Sequence, residues 1–183
     1  IADYLIEEIL EEGGEVVYTA PVKALSNQKY REYCEVHGEE NVGLITGDLV
    51  INRNAPLRLM TTEILRNVLL EGGMAPVDEG SSQTDTQREN TAEASDEDEE
   101  TEELGTPSEL EIPRLEDLKA VIIDEIHFLD DRDRGTTWEE LLIYLPSRIR
   151  ILGLSATLSN LNEFADWLSE IRQTDVKVVR EEE

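Results

Sequence analysis

At 183 residues, 39% of them hydrophobic, the chain has room for one domain with a real core. Its 43 acids against 16 bases give a formal net charge of -27, which excludes a broad positive face of the kind that attracts polyphosphate by bulk charge. The single cysteine, Cys34, excludes an internal disulfide, no Cys/His cluster has zinc-ligand spacing, and no apolar run approaches the ~18 residues that span a membrane.

Ala2, Leu5, Ile6, Ile9 and Leu10 recur at helical spacing, and Gly13-Gly14 stops that amphipathic helix. Glu15 to Ala20 is a β-branched and aromatic run, predicted as a strand. Ser26 to Val36 is predicted as helix, Val42 to Ile45 as strand, Thr46-Gly47-Asp48 as a turn, and Leu57 to Met60 as another strand. Thr61 or Thr62 caps a helix whose Ile64, Leu65, Val68 and Leu69 share one face. Strand 119–124, a helix near 136–145, strand 149–154, helix 161–170 and strand 176–179 follow. Asn160 and Glu163 have the spacing of a capping box at the last helix. Strands alternating with helices of these lengths predict a three-layer α/β domain around a mostly parallel sheet.

Between these halves the pattern collapses. Residues 75–112 hold 14 of the acids and one base, and the remainder still carries 29 acids against 15 bases. Such composition buries too little apolar surface to offset ordering entropy, so 73–113 is expected to be an acidic disordered insertion between two core segments. It is a solvated loop on the simplest view, or else a docking tail for a basic protein partner or a mimic of RNA that competes for the local cations. The lack of cystines fits a reducing compartment; a cytoplasmic location is expected, with organellar and nuclear ones left open. No signal peptide opens the sequence, and the chain starts without Met inside a helical pattern, as if cut from something longer.

The chemistry concentrates in Val121-Ile-Ile-Asp-Glu-Ile-His127. An apolar run ending abruptly in two acids is the pattern of a buried parallel strand whose carboxyl end carries function. Asp124 then sits where a carboxylate can hold Mg2+ against nucleotide phosphates, and Glu125 where it can orient an attacking water. Ile149 to Leu154 followed by Ser155-Ala-Thr157 repeats the arrangement one strand later. Pro21 and Thr61-Thr62 end strands, so backbone amides and hydroxyls there suit phosphate without reading bases, with Lys23, Lys29 and Arg66 as nearby cations. Taken singly, each segment has a plainer explanation: a polar strand end, a helix entry, a packed histidine. Trp138 and Trp167 are expected to pack in the core or under a lid, and Cys34 to be a small structural residue.

Jointly the segments resemble the superkiller-like, exosome-associated DExH RNA helicases of superfamily 2. Ala20-Pro-Val-Lys-Ala-Leu-Ser-Asn-Gln-Lys-Tyr30 is similar to motif Ia, Met60 to Leu69 to motif Ib, Asp124-Glu-Ile-His127 to motif II, and Ser155-Ala-Thr157 to motif III. Val42 to Asp48 resembles the strand and turn that follow motif Ia, and Arg134-Gly-Thr-Thr-Trp-Glu-Glu140 the turn and helix after motif II. The resemblance implies a RecA-like domain of the P-loop NTPase type: 1–72 with motifs Ia and Ib, and 114–183 with motifs II and III. It implies ATP and Mg2+ as cofactors, with Asp124, Glu125 and His127 catalytic. Pro21, Lys23, Thr61, Thr62 and Arg66 would lie on single-stranded RNA, with Ser155, Ala156 and Thr157 coupling the two sites. A second RecA-like domain of the parent chain would close the site, hydrolysis would drive translocation and unwinding, and no membrane contact is expected.

The sequence departs from that family in one respect. No G-x-x-x-x-G-K-S/T occurs in it, so the sheet is expected to lack the phosphate-loop strand and the 183 residues alone to be inactive. The strand at 149–154 would then have an exposed edge. The alternatives are a non-enzymatic helicase-like module that binds RNA or protein, and a DNA helicase relative, because these motifs do not report a 2′-hydroxyl.

Overall fold

A computed structural model of the chain describes residues 1–71, 117–127, 135–156 and 160–180. The order is α1 (Ala2–Glu11), β1 (Glu15–Ala20), α2 (Lys23–His37), a 3-10 turn (Glu39–Asn41), β2 (Val42–Ile45), β3 (Val50–Ile51), β4 (Leu57–Thr61), α3 (Thr62–Glu71), β5 (Leu118–Ile123), α4 (Gly135–Tyr144), β6 (Arg150–Gly153) and α5 (Leu161–Arg172). Six strands form one sheet in the order β3-β2-β4-β1-β5-β6. Every pairing is parallel except the short β2–β3 hairpin.

Strand periodicity builds the core on both faces of this sheet. Val16 and Tyr18 of β1 join Leu57, Leu59, Ala120 and Ile122 beneath Ile6 and Ile9 of α1 and Tyr33 of α2. Val17, Met60, Val121 and Ile123 point the other way, into Leu65 and Leu69 of α3, Trp138, Leu141 and Leu142 of α4, and Leu168 of α5. With helices covering both faces, strands β1, β2, β4 and β5 are almost wholly buried and read as apolar runs. Trp138 is 1% exposed, a core residue as predicted. Trp167 packs partly buried beside Phe164, ring centroids 5.8 Å apart.

Four sequence expectations need correction or adjustment. The strand over 176–179 does not form; among the described residues the sheet ends at β6 and these residues join no ladder. Asn160 stands at the N-cap of α5, but its side chain makes no capping hydrogen bond, so the Asn160/Glu163 box is not closed. Helix α2 starts at Lys23, one turn earlier than predicted, since Val22 already adopts the extended N-cap conformation after Pro21. The two-residue β3 was missed; it pairs Leu44 with Ile51 and Ile45 with Val50, closed by the Thr46 N–H donating to the Leu49 carbonyl at 2.8 Å. The acidic stretch 73–113, Arg134 and Thr157 lie outside the described residues.

Candidate functional site

Because β1, β4, β5 and β6 are parallel, their carboxyl ends meet along one edge of the sheet, where α/β proteins place their ligands. Pro21 follows β1, Thr61 ends β4 and Thr62 opens α3, Asp124 follows β5, and Ser155 comes two residues after β6. Residues up to 134 positions apart in sequence are thereby gathered by strand pairing alone.

Asp124 is held at three points. Its backbone N–H continues the β1–β5 ladder by donating to the Thr19 carbonyl at 2.9 Å. Its Oδ1 accepts the Glu125 N–H at 2.9 Å, and its Oδ2 accepts the Tyr18 hydroxyl at 2.6 Å. Tyr18 itself is 2% exposed, inside the sheet layer. Burial, and then the carboxylate that takes its proton, push the Tyr18 hydroxyl far above the ordinary tyrosine range, so it stays a donor.

Glu125 turns the chain with φ +52°, a left-handed conformation that a non-glycine residue adopts at a cost of order 1–3 kcal/mol and that clusters at functional sites. The turn brings Glu125 Oε2 to 3.2 Å from His127 Nδ1. It also lets the Ile126 N–H donate to the Leu154 carbonyl at 2.9 Å, while the Leu154 N–H donates to Ile123 at 2.8 Å. The turn after β5 and the entry to Ser155 are therefore one hydrogen-bonded unit. Gly153 makes this approach possible: a Cβ there would come within 2.9 Å of Ile126 Cδ1.

A cavity of about 400 Å³ opens at this edge, lined by Pro21, Val22, Leu25 and Gln28 on one side and by Glu125 and His127 on the other. It joins the start of α2 to the acidic turn. Among the described residues no group of three or more His, Cys, Asp or Glu converges as a metal cage. One or two carboxylates offering only oxygen nevertheless suit Mg2+, which takes few protein ligands and completes its shell with water and phosphate. Asp124 fits: each oxygen accepts one hydrogen bond and keeps a further lone pair.

The residues nominated for phosphate contact are less uniform. Lys23 is exposed and paired with Asp48, Nζ to Oδ1 at 2.8 Å, and Arg66 is paired with Glu140. Lys29 pairs with Glu32 within α2 at 2.8 Å. Pro21, Thr61 and Thr62 are buried, and the Thr62 hydroxyl has no hydrogen-bond partner. Ser155 and Ala156 are exposed. Sequence reasoning missed Tyr18, Asp48 and Glu140. The one signal for Tyr18 was a phenol inside a predicted buried strand, which has to find a polar partner somewhere.

The family model for DEAD/DEAH box helicases matches residues 3–164. The chain is 38% identical over 93% of its length to the DExH-box ATP-dependent RNA helicase DExH15 of Arabidopsis thaliana, a chloroplast protein. It is 34% identical over 98% of its length to the antiviral helicase SKI2 of Saccharomyces cerevisiae, and 36% identical over 98% to the ATP-dependent RNA helicase mtr4 of Schizosaccharomyces pombe. It spans only 11% to 12% of the length of those three proteins. In fold it is similar to a hypothetical ATP-dependent RNA helicase from Sulfolobus tokodaii, with TM-score 0.57 and 16% identity over 94% of this chain and 42% of that one. It is also similar to the Mycobacterium smegmatis helicase Lhr, solved with single-stranded DNA and AMP-PNP, with TM-score 0.52 and 21% identity over 85% of this chain and 18% of that one. With a RecA-like sheet, a strained acidic turn at its carboxyl edge and a family match over most of its residues, the chain belongs to the DEAD/DEAH box helicase family.

Proposed function

We propose that this chain is part of the first RecA-like domain of an ATP-dependent RNA helicase of the DExH type, in which ATP hydrolysis drives movement along single-stranded RNA. The observation that supports the reading is the cavity shared by the start of α2 and the Glu125–His127 turn, which puts Pro21 and Val22 opposite Glu125 and His127.

In this reading Asp124, pinned by Tyr18 and by the Glu125 amide, is the carboxylate on the metal side of ATP. Bound Mg2+ would supply charge neutralisation at the β- and γ-phosphates. Glu125, which lines this cavity, accepts a proton from the attacking water. His127, within ion-pair distance of Glu125, passes the state of that carboxylate to the Leu154–Ser155 entry. RNA lies along Pro21, Lys23, Thr61, Thr62 and Arg66, and a second RecA-like domain of the parent polypeptide completes the ATP site. The RNA branch is favoured over a DNA one by the names of the relatives.

The test is RNA-stimulated ATP hydrolysis by the full-length polypeptide and its Asp124→Asn and Glu125→Gln variants. Both are expected to lose hydrolysis while Glu125→Gln still binds ATP. Wild-type turnover in both variants would remove the basis for the reading.

A further inference from the structure

We infer that Tyr18 is a positioning residue for the nucleotide-bound metal: its hydroxyl sets the orientation of the Asp124 carboxylate that faces the triphosphate. The inference deepens the proposed helicase reading and rests on Asp124 being the metal-side carboxylate.

The geometry is specific. Tyr18 and Asp124 are 106 residues apart and lie on neighbouring strands, β1 and the end of β5. The strand register pairs Tyr18 with Ile122 and Thr19 with Ile123, so Asp124 is the first residue past the ladder, and Tyr18 reaches it from two positions below, on the same face of the sheet. At 2.6 Å the bond is in the range of a hydroxyl donating to an ionised carboxylate, a class of hydrogen bond about twice as strong as a neutral one.

An aspartate side chain at a strand end is otherwise free to rotate. Here one oxygen is tied to the Glu125 amide and the other to Tyr18, so the carboxylate plane is set before any ligand arrives. Sites held in their productive geometry by supporting hydrogen bonds bind with less reorganisation. The Tyr18 ring is itself fixed, edge-on to Tyr33 with centroids 5.6 Å apart and planes at 60°. Tyr33 donates its own hydroxyl away from Asp124, to Asp3 Oδ1 at 3.2 Å.

The experiment uses the full-length polypeptide with Mn2+ as a spectroscopic stand-in for Mg2+. Mn2+ affinity is read by electron paramagnetic resonance in the presence of a non-hydrolysable ATP analogue, beside the Mg2+ dependence of ATP hydrolysis and the melting temperature. Tyr18→Phe removes one oxygen and keeps the ring. Tyr33→Phe removes a neighbouring hydroxyl from the same layer and serves as the control for lost stability. The expected result is a Mn2+ affinity weakened about 10-fold or more in Tyr18→Phe, the scale of losing one hydrogen bond to a charged group, with Tyr33→Phe unchanged. Nucleotide affinity without metal is expected to stay at the wild-type value in both. Wild-type Mn2+ affinity in Tyr18→Phe, or an equal loss in both variants, overturns the inference. Asp124→Asn separates the two levels: if it too binds Mn2+ normally, it is the reading of Asp124 that fails; if it loses Mn2+ while Tyr18→Phe does not, only the positioning role fails.

Discussion

Lys23 and Asp48 are paired across the carboxyl edge of the sheet, Nζ to Oδ1 at 2.8 Å, and Thr46 donates its hydroxyl to the same Asp48 oxygen at 2.9 Å. Lys23, then Thr46, hold the Asp48 carboxyl below its ordinary range. Under the proposed function, the cation that the Ala20–Tyr30 segment would offer to RNA is already answered by a carboxylate of its own chain. Arg66 repeats the arrangement with Glu140. In a chain of net charge -27, Lys23 and Arg66 are both already paired with carboxylates, so phosphate binding at either would be a competition between two anions.

Asp48→Asn is accordingly expected to strengthen single-stranded RNA binding by the full-length polypeptide. One additional free cation also steepens the salt dependence, by about 0.7 in the slope of log affinity against log salt for a single strand. Fluorescence anisotropy with a short homopolymeric RNA at several salt concentrations reads both effects. An unchanged affinity and slope would show that Lys23 does not meet phosphate.

Glu125→Gln keeps the size and the left-handed turn at residue 125 while removing the proton acceptor. ATP hydrolysis is expected to fall by roughly 100- to 10,000-fold, the usual contribution of a positioned general base, with ATP affinity preserved. Steady-state phosphate release and nucleotide binding measured on the same preparation separate the two quantities.

Arg172 holds the far end of the domain. It is 6% exposed and donates to the carbonyls of Leu145 and Ile149 at 2.8 Å and of Pro146 at 3.0 Å, tying the end of α5 to the loop that feeds β6. Burial lowers the pKa of its guanidinium. Arg172→Ala leaves three carbonyls without their donor, and a loss of about 2–4 kcal/mol is expected from the usual cost of unsatisfied buried groups. Urea denaturation monitored by Trp138 and Trp167 fluorescence measures it. Arg172→Lys is expected to recover only part, since one ammonium cannot reproduce the planar fork.

Without a G-x-x-x-x-G-K-S/T segment to cradle the phosphates, the 183 residues expressed alone are expected to hydrolyse no ATP. Mg2+-dependent phosphate release above background from this stretch would contradict the assignment of catalysis to a larger assembly. The same preparation is expected to associate through β6, whose outer edge has no strand partner among the described residues.

Much of this molecule was legible in the chain before any coordinates. The β-branched and aromatic run 15–20, the apolar run 118–123 and the helical stripes of α1 and α3 are patterns that depend only on neighbouring residues. The order of Pro21, Thr61, Asp124 and Ser155 was enough to expect them on one edge, because parallel strands put their carboxyl ends together. The failures share a cause. Val176–Val179 has strand composition but no ladder partner among the described residues, Asn160 has capping chemistry but makes no capping hydrogen bond, and a strand or a cap exists only when the other half of the bond is in reach.

Local pattern thus carried the layers, the motif order and the family. Which groups neutralise one another came from folding alone: Tyr18 on Asp124, Asp48 on Lys23, Glu140 on Arg66 and Arg172 on three carbonyls are contacts between residues 23 to 106 positions apart. Hydrogen bonds and ion pairs act over a few ångströms, and distance along the chain says nothing about distance in space until the strands have found their register.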